Sequence, residues 1–454
     1  MQERIVILGA GESGVGAALL AQAKGFAVFV SDFGTILPKY KSVLSAHQIP
    51  YEQGRHSTNL ILSATEVIKS PGIPDSAPIL VALRKAGIPV IGEIEFAARY
   101  TNAKMLAITG TNGKTTTTLL LYHLLKESGL SVGLAGNVGY SLARQVMDDK
   151  FDFYVLELSS FQLDTLFDFK ADVAILLNIT PDHLDRYDYD FDKYTRSKFR
   201  ITNNMLPDDH FVYFCDDDVI RNYLKKHPAD MNNLPVSLTK SQVRGAFMDD
   251  HAFEFRTGLS PDFRIKSADI PIYGSHNKIN AMAAILAASM IGIGHKAIRK
   301  ALKTFKNADH RLEEVGSFND ILFVNDSKAT NVEATFYALE AFDRPIIWIA
   351  GGTDKGNDYS KLKALARKNV KALICLGLDN EKLKEAFGAQ LTNLQETKEM
   401  EDAVKKSFKL AENGDVILLS PACASFDLFK NYEERGKKFK KAVKNIMLNK
   451  REVV

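Results

Sequence analysis

Short apolar runs alternate along the chain with longer segments in which apolar residues recur every three or four positions. A short apolar run bounded by turn residues predicts a buried strand, and the longer spacing predicts an amphipathic helix. Strands that alternate with helices indicate parallel sheets built from β-α-β units. The pattern therefore predicts an α/β protein.

Three of the predicted strands each open a new series of strands and helices. They cover Ile5–Leu8, Met105–Thr109 and Ile321–Asn325. A chain of 454 residues is also longer than one hydrophobic core fills, since single cores stop growing near about 250–300 residues. These observations predict three domains, with residues 1–98, 99–308 and 309–454 as their bounds.

The first and third domains are predicted to be Rossmann-like, and the central one to be a P-loop domain with a parallel sheet. Between about 207 and 275 the apolar runs are shorter and closer together, as in Ala252–Arg256. This stretch predicts an extra small β-sheet in the central domain. A long apolar helix follows from about His276 to Met290.

Charge and cysteine content exclude some classes of partner. The 58 Lys and Arg residues nearly balance the 55 Asp and Glu residues, whereas a nucleic-acid-binding protein usually has a clear basic excess. The three cysteines form no C-x-x-C pair, which fits a reducing compartment. The longest apolar run, Ala281–Ile293, is too short to cross a bilayer. We expect a cytoplasmic monomer that acts on small molecules and neither binds nucleic acid nor inserts into a membrane.

A candidate phosphate-binding loop follows the second domain's first strand. Glycines let backbone N–H groups approach phosphate oxygens, a lysine can reach the outer phosphates, and a threonine hydroxyl can hold Mg²⁺. The usual pattern has a further glycine five residues before Gly113, where this chain has Ile108. The loop consists of Gly110, Thr111, Asn112, Gly113, Lys114, Thr115 and Thr116.

A second glycine-rich turn follows the first strand of the chain. Gly9, Gly11 and Gly14 have the G-x-G-x-x-G spacing, and Asp32 ends the next strand eighteen residues later. This arrangement is typical of dinucleotide-binding domains, in which the turn holds a pyrophosphate. The pattern alone leaves a dehydrogenase open, although a dehydrogenase does not need the Gly-Lys-Thr of the other loop.

Two carboxylates end buried strands, where an α/β sheet opens onto its ligands. Glu157 follows Tyr154-Val155-Leu156, and Asp326 follows Ile321–Asn325. Glu157, together with Thr115 and His183, makes a plausible Mg²⁺ site of hard ligands and one imidazole. A helix cap is the alternative for each carboxylate, and a surface position is the alternative for His183.

Several longer motifs resemble those of the Mur ligases, the cytoplasmic enzymes that build the peptidoglycan stem peptide. The resemblance covers essentially the whole chain and keeps the family's order. Ser159-Ser160-Phe161-Gln162-Leu163 and the segment from Ser420 to Asp427 are similar to the D-glutamate-adding branch in particular. The other motifs are Ser70-Pro71-Gly72-Ile73, Gly136-Asn137, Asp182-His183-Leu184-Asp185-Arg186, His276-Asn277, Asn325 to Thr330 and Asp354-Lys355-Gly356.

The resemblance implies an ATP-dependent ligase that adds D-glutamate to UDP-N-acetylmuramoyl-L-alanine and releases ADP and phosphate. ATP would convert the carboxylate to an acyl phosphate, which the amine then attacks. Two Mg²⁺ ions are implied, held by Thr115, Glu157, His183 and Lys198. Lys198 would carry a carbamate formed with CO₂, although its basic helical setting by itself indicates a surface residue.

The resemblance also implies a role for each of three groups of residues. ATP would be bound by the phosphate loop and by Asn277, Asn280, Arg311, Asp326 and Lys328, and Lys114 and Lys328 would join the metal-binding residues in catalysis. The UDP substrate would contact Gly11, Ser13, Asp32, Ser70, Pro71, Gly72, Asn137, Ser159 and Gln162. The incoming amino acid would contact Lys328, Thr330, Lys355, Ser425 and Phe426.

The first domain departs from the family pattern at two points. Glu12, beside Ser13, is less expected near a pyrophosphate. A basic residue commonly follows the acidic residue that ends the second strand, but Phe33 and Gly34 follow Asp32 here. This departure leaves the contacts to the uridine open. Two rival functions are a ligase of the same superfamily similar to folylpolyglutamate synthase and a nucleotide sensor without catalysis. The segment Ser159-Ser160-Phe161-Gln162-Leu163 and the UDP-type first domain argue against the former, and a third domain that carries Asp326 and Lys328 argues against the latter.

Overall fold

The structure, a computed structural model, describes residues 3–228, 230–239, 243–249, 251–258, 261–270, 272 and 274–451. Within these residues the chain forms three β-sheets flanked by helices. The predicted α/β class is therefore confirmed. Cys215, Cys375 and Cys423 are free thiols. Within the same residues, no helix combines the length and apolar character that a membrane span requires.

The first sheet is parallel and has the strand order β3-β2-β1-β4-β5. Ile5, Val6, Ile7 and Leu8 in β1 are almost fully buried, because neighbouring strands and helices cover the central strand. The strands are β1 (Arg4–Leu8), β2 (Ala27–Asp32), β3 (Tyr51–Gln53), β4 (Glu66–Lys69) and β5 (Val90–Gly92). The helices are α1 (Glu12–Ala23), α2 (Pro38–Ala46), α3 (Thr58–Ile61), α4 (Pro78–Lys85) and α5 (Glu93–Ala98).

The central sheet has nine strands, in the order β14-β13-β12-β11-β10-β9-β6-β8-β7. The strands are β6 (Lys104–Thr109), β7 (Val132–Gly136), β8 (Phe153–Glu157), β9 (Val173–Leu176), β10 (His210–Phe214), β11 (Asn232–Ser237), β12 (Gly245–Asp249), β13 (Ala252–Arg256) and β14 (Phe263–Lys266). Strands β12 to β14 pair antiparallel with one another, and β12 also pairs parallel with β11. The predicted small sheet is thus an antiparallel extension of the parallel one.

Helices cover the central sheet and lead out of it. They are α6 (Lys114–Glu127), α7 (Leu142–Val146), α8 (Ser160–Leu163), α9 (Phe191–Phe199), α10 (Asp218–Lys226), α11 (Ser275–Met290) and α12 (His295–Leu302). Short 3-10 helices occur at Leu184–Tyr187, Arg200–Thr202 and Ser267–Asp269. The long apolar helix predicted from His276 to Met290 is confirmed as α11.

The third sheet has the order β15-β16-β20-β17-β18-β19, and only β15 runs antiparallel to its neighbour. Its strands are β15 (Glu313–Phe318), β16 (Ile321–Asn325), β17 (Ile346–Ala350), β18 (Val370–Leu376), β19 (Leu394–Thr397) and β20 (Val416–Leu419). Its helices are α13 (Val332–Glu340), α14 (Lys363–Asn369), α15 (Glu381–Phe387), α16 (Met400–Leu410) and α17 (Tyr432–Arg451), with a 3-10 helix at Tyr359–Leu362.

By internal contacts the chain divides into two units. One comprises Met1–Ile270 with Ile279–Phe305, and the other comprises Pro271–Lys278 with Lys306–Val454. The first two sheets therefore belong to one unit, and a single cluster of buried apolar residues includes members from both of them. The bounds predicted near 98 and 308 stay predictions.

A buried carboxylate joins the first two sheets. Glu93, at the start of α5, accepts hydrogen bonds from the Ser141 hydroxyl at 2.8 Å and from the Ala143 amide at 2.6 Å. Helix α1 packs close to the same point, since a Cβ at Gly16 would lie 1.9 Å from Ser141 Oγ. Burial raises the pKa of Glu93 to about 7, although these hydrogen bonds lower it.

We expect Glu93→Gln to change how stability depends on pH. A carboxyl group whose pKa rises on folding stabilises the protein fully at low pH, and this contribution is lost as the pH rises through the folded-state pKa. Between about pH 4.5 and 7 the wild type should lose up to about 3 kcal/mol that the variant keeps. Melting temperatures across this range test the prediction, with exposed Glu127→Gln as the control. Parallel curves for wild type and Glu93→Gln would contradict it.

Candidate active site

The turn between β6 and α6 is shaped by two glycines with positive φ. Gly110 has φ 154° and Gly113 has φ 85°. A Cβ on Gly113 would lie 2.3 Å from Oδ1 of Asn280, so only glycine fits this turn without a shift. Lys114 and Thr115 begin α6, and the helix N-terminus favours an anion.

Three polar residues that the sequence analysis did not select hold this loop in place. Asn178, just beyond β9, accepts from the Asn112 amide at 2.8 Å and donates to the Asn112 carbonyl at 3.1 Å. The Thr111 hydroxyl lies 3.1 Å from both the Thr180 carbonyl and the Tyr194 hydroxyl. The loop is therefore fixed on one side by side chains of the neighbouring strand end and of α9. Their one sequence signal is that Asn178 ends a strand, as Glu157 does.

Two lysines donate to the same carbonyl oxygen of the loop. Lys114 Nζ lies 2.8 Å from the Gly110 oxygen and 2.8 Å from the Thr111 oxygen. Lys198 Nζ lies 2.9 Å from the Gly110 oxygen and 3.3 Å from Thr109 Oγ1. Two ammonium groups that share one acceptor repel each other.

Lys198 is buried, although its place in a basic helical stretch indicates a surface residue. It is 2% exposed, and its amine lies 5.3 Å from the centre of the Tyr194 ring. Burial, and then the charge of Lys114, lower the pKa of Lys198 well below its usual value. The amine is therefore poised to be neutral, which is the form that reacts with CO₂.

Glu157 presents a buried carboxylate oxygen at the end of β8. The side chain is 2% exposed, and Oε1 accepts from Nδ2 of Asn137 at 2.7 Å. Oε2 is buried and has no hydrogen-bond partner among the described residues. A buried anionic oxygen without a donor is costly unless a cation faces it. The carboxylate and the Thr115 hydroxyl are hard oxygen ligands, so the residues present fit Mg²⁺.

His183 is exposed, and it packs against the helix that follows the strand of Glu157. It has a φ of 50° just before the 3-10 helix Leu184–Tyr187, and its ring packs 5.3 Å from that of Phe161. In the described part of the chain, no group of three or more His, Cys, Asp or Glu side chains has the geometry of a metal site. Of the four predicted metal ligands, only Glu157 and His183 belong to these residue types. Its assembly with Thr115 and Lys198 stays a prediction.

Ser159 and Gln162 close the first turn of α8 on each other. Ser159 Oγ accepts from the Gln162 amide at 3.3 Å, and Gln162 Oε1 accepts from the Ser159 amide at 3.0 Å. This is a capping box, which satisfies backbone donors at a helix start. Both side chains thus have a structural role, and their predicted contact with substrate is untested.

A cavity of about 740 Å³ opens at the carboxyl ends of the first sheet. Four of the residues predicted to bind UDP line it, namely Gly11, Asp32, Ser70 and Gly72. Gly9, which has φ 93°, approaches Ser70 so closely that a Cβ there would lie 2.4 Å from Ser70 Oγ. Ser13, in α1, and Pro71 are not among the lining residues described.

One arginine connects a loop that lines this cavity to helix α8. Arg186 Nη1 donates to the Gly72 carbonyl at 3.2 Å, and its guanidinium carbon lies 4.4 Å from the centre of the Phe161 ring. The Asp-His-Leu-Asp-Arg motif therefore contacts both the loop after β4 and the start of α8. The sequence pattern places Arg186 within a motif but does not indicate this role.

In the other unit, Asp326 follows β16 as the strand pattern predicts. Its Oδ1 accepts from the Leu312 amide at 3.1 Å and its Oδ2 from the Ser420 hydroxyl at 2.9 Å. Burial raises the pKa of Asp326 to about 7 in spite of these hydrogen bonds and the charge of Arg311. Lys328 lies two residues further on, with its amine 5.3 Å from the centre of the Tyr432 ring.

Arg435 fastens three strand-end loops of this unit together. It is 1% exposed, and its guanidinium donates to the carbonyl oxygens of Ser327 at 2.8 Å, Cys423 at 3.1 Å and Gly351 at 3.4 Å. These loops follow β16, β20 and β17 and carry Lys328, Ser425 and Lys355, respectively. The sequence does not reveal this role, because Arg435 begins a basic stretch whose pattern indicates a solvated helix face.

Two of these loops also pair through their backbones. The Thr353 amide donates to the Ala424 carbonyl at 2.8 Å, and the Ala424 amide donates to the Thr353 carbonyl at 3.2 Å. Lys355 and Phe426 lie just beyond this pair, and both are exposed, Phe426 at 69%. Ser425 is buried, and Thr330 is exposed on the loop after Lys328. The residues predicted to bind the amino acid therefore lie on loops that are joined to one another.

The two predicted adenine-binding asparagines lie one turn apart at the start of α11. Asn277 is 3% exposed and Asn280 is 2% exposed. Asn280 lies against Gly113 of the phosphate loop. Asn280 thus places a buried amide at this loop, and the predicted contact of the two asparagines with adenine stays a prediction.

Family models match three parts of the chain. They are described as the Mur ligase MurD-like N-terminal domain, the Mur ligase middle domain and the Mur ligase glutamate ligase domain, and they match residues 3–92, 108–288 and 310–423. A relative from Porphyromonas gingivalis, named UDP-N-acetylmuramoylalanine–D-glutamate ligase, is 52% identical over 97% of this chain and 98% of its own length. Relatives of the same name from Bacteroides fragilis and Cytophaga hutchinsonii are each 51% identical over 98% of this chain and over 100% and 99% of their own lengths. The chain belongs to the Mur ligase family.

Solved structures of other Mur ligases share this fold. A pseudomurein peptide ligase type C from Methanothermus fervidus aligns over 98% of this chain and 100% of its own, with 20% identity and a TM-score of 0.61. The MurF ligase from Thermotoga maritima, solved in complex with ADP, aligns over 93% and 97%, with 17% identity and a TM-score of 0.60. At this identity the likeness extends to the fold alone.

We expect Arg435→Met to destabilise this Mur ligase strongly. The substitution keeps a long side chain but leaves the carbonyls of Ser327, Gly351 and Cys423 without their donor. Each buried acceptor left unpaired costs about 1–3 kcal/mol, so the free energy of unfolding should fall by several kcal/mol. Lys437→Met, at an exposed position of the same helix, is the control. Denaturant unfolding of the full chain measures both, and equal midpoints for the two variants would contradict the role of Arg435.

Proposed function

We propose that this Mur ligase joins D-glutamate to UDP-N-acetylmuramoyl-L-alanine with ATP, and releases ADP and phosphate. Identity of about half over nearly the full length to relatives of that name supports the choice of substrates. The observation that carries the chemistry is that Lys114 and the buried Lys198 both donate to one carbonyl of the phosphate loop, next to the sheet end that holds Glu157.

The reaction has two steps with balanced electron flow. A carboxylate oxygen of the alanyl group attacks the γ-phosphorus of ATP, and ADP leaves with the electrons of the broken P–O bond. The amine of D-glutamate then attacks the acyl carbon, phosphate leaves, and the amine loses a proton. Catalysis of this kind depends on position and positive charge and needs no covalent nucleophile on the protein.

The phosphate loop supplies the positive charge in this proposal. Backbone N–H groups of residues 110–116 would cradle the phosphates, and Lys114 would move from the loop carbonyls to the transferred phosphoryl group. The exchange suits its observed contacts, because a charged phosphate oxygen is a stronger acceptor than a neutral carbonyl. Asn280 beside Gly113 would meet the nucleotide from the other side of the loop.

Thr115, Glu157, His183 and a carbamylated Lys198 would hold Mg²⁺, with two ions in all. The bound ions would supply charge that offsets the phosphate oxygens. For Lys198, the neutral amine would attack the carbon of CO₂ and lose a proton, which forms an anionic carbamate. This change would replace repulsion between Lys198 and Lys114 with attraction.

The second unit would provide the nucleotide and amino-acid contacts. Asp326 and Arg311 would bind the nucleotide, with Asn277 at the adenine. Lys328 would contact both the nucleotide and the incoming amino acid. Lys355, Thr330, Ser425 and Phe426 would receive D-glutamate, whose two carboxylates need cations and hydroxyl donors. Arg435, which fixes three of the loops, would keep these groups in position.

The substrate requirement gives the direct test of this proposal. Purified protein with Mg-ATP and UDP-N-acetylmuramoyl-L-alanine should release phosphate only when D-glutamate is added, and mass spectrometry should show one new amide. L-Glutamate, L-lysine and diaminopimelate serve as matched amino acids. Release with another amino acid would move the enzyme to a different ligation step. No release by folded protein that still binds ATP would favour the nucleotide-sensor alternative.

A second prediction concerns Lys198. We expect Lys198→Ala to lose turnover by at least about a hundredfold, because the carbamate would be an anionic metal ligand. Small added carboxylates such as acetate should restore part of the activity by taking its place. The exposed Lys193→Ala, on the same helix, is the control and should stay active. A ¹³C carbamate signal from protein in labelled bicarbonate should appear in wild type and be missing in Lys198→Ala. Full activity of Lys198→Ala would exclude the role.

A further inference from the structure

Two aromatic rings form part of the wall of the 740 Å³ cavity in the first sheet's domain, and the assignments above use neither. Phe33 follows β2 and is 72% exposed. His56 precedes α3, and the two ring centres lie 5.7 Å apart at an angle of 42°. An exposed aromatic ring at the wall of a cavity offers an apolar face on which a planar ligand can stack.

The turn that presents Phe33 is fixed on both sides. Asp32 Oδ2 accepts from the Ala10 amide at 2.7 Å, and Asp32 Oδ1 accepts from the Gly34 amide at 2.8 Å. Each carboxylate oxygen of Asp32 therefore already holds a backbone donor. Asp32 shapes the turn, and the aromatic ring next to it is the group that the turn exposes to the cavity.

The hydrogen bonds around His56 fix its tautomer. Ser31 Oγ lies 2.7 Å from both Glu52 Oε1 and His56 Nδ1. Although burial raises the pKa of Glu52, hydrogen bonds from Ser57 and Ser31 lower it overall, so the carboxylate is ionised. An ionised acceptor takes the single Ser31 proton, and Ser31 Oγ must then accept from Nδ1–H of His56.

This leaves Nε2 of His56 as a hydrogen-bond acceptor. Burial lowers the pKa of His56 in spite of the nearby Glu52 and Asp32 carboxylates, so the ring is neutral near pH 7. Nε2 has no hydrogen-bond partner among the described residues, and His56 lines the cavity. The cavity wall thus offers the face of the Phe33 ring and a hydrogen-bond acceptor, Nε2, at the edge of the His56 ring.

We propose that Phe33 and His56 recognise the uracil base of the substrate, Phe33 by stacking on its face and His56 Nε2 by accepting its N3–H. The inference rests on the proposed function, which requires a uridine diphosphate group in this cavity. Stacking accepts any base, because every base has a π face. Selectivity would come from Nε2, since uracil has a proton at N3 whereas cytosine has a lone pair there.

The ring of Phe33 is tested by UDP and CDP binding to the full-length protein, measured by calorimetry. Phe33→Leu should weaken both nucleotides about tenfold, because it removes a stacking face that does not depend on the base. Phe33→Tyr keeps the ring and should stay within twofold of wild type. Leu37→Ala, at a 56% exposed apolar position that does not line the cavity, is the control.

The acceptor is tested by His56→Phe, which keeps an aromatic ring but removes Nε2. Wild type should prefer UDP over CDP by about tenfold or more, and the variant should lose most of this preference by binding UDP more weakly. In turnover, both Phe33→Leu and His56→Phe should raise KM for the UDP substrate and leave kcat nearly unchanged. Melting temperatures like that of wild type would show that the fold is intact.

The outcomes separate this inference from the proposed function. If wild type ligates D-glutamate and binds UDP, but Phe33→Leu keeps the wild-type Kd, the aromatic recognition is wrong and the function stands. An unchanged preference for UDP in His56→Phe would remove the histidine in the same way. If wild type binds no UDP at all, both the inference and the assignment of this cavity fail.

Discussion

The structure of the candidate active site depends on one carbonyl oxygen that accepts from two lysines. Lys114 and Lys198 both donate to Gly110, at 2.8 Å and 2.9 Å, and Lys198 is almost fully buried. Burial, and then repulsion from the Lys114 ammonium group, lower the pKa of Lys198. The same contact fixes the position of α9 against the turn after β6. Both the lowered pKa of Lys198 and the position of α9 against this turn are tied to this one oxygen.

Within each unit, polar groups at the strand ends satisfy one another. Asn178 supports the phosphate loop, Asn137 supports Glu157, and Arg435 supports three loops of the second unit. Parallel sheets place such groups together because all their strands end at one edge. Buried polar atoms there need partners, and Oε2 of Glu157 is one of those that have none among the described residues.

Sequence pattern predicted the strands well because their burial is a local property. Ile5–Leu8, Met105–Thr109 and Ile321–Asn325 are found within one residue of the predicted bounds, since apolar runs between turn residues have few other solutions. Lys198 and Arg435 could not be found in this way. Each lies in a basic helical stretch, and whether a lysine or arginine there is buried depends on which face packs inward. Their burial is decided by distant residues, such as Gly110 and Ser327, that no local pattern connects to them.

The two glycine turns show how far a local signal can go. Both follow a buried strand, both precede a helix, and both require glycine because another group approaches closely, Ser70 at Gly9 and Asn280 at Gly113. Pattern alone therefore predicts phosphate binding at each turn but does not distinguish the nucleotides. The difference lies in what surrounds each turn. Two lysines, a carboxylate and a hydroxyl surround the second, which suits phosphoryl transfer. An acidic residue already held by backbone amides and two aromatic rings surround the first, which suits holding a base without reacting with it.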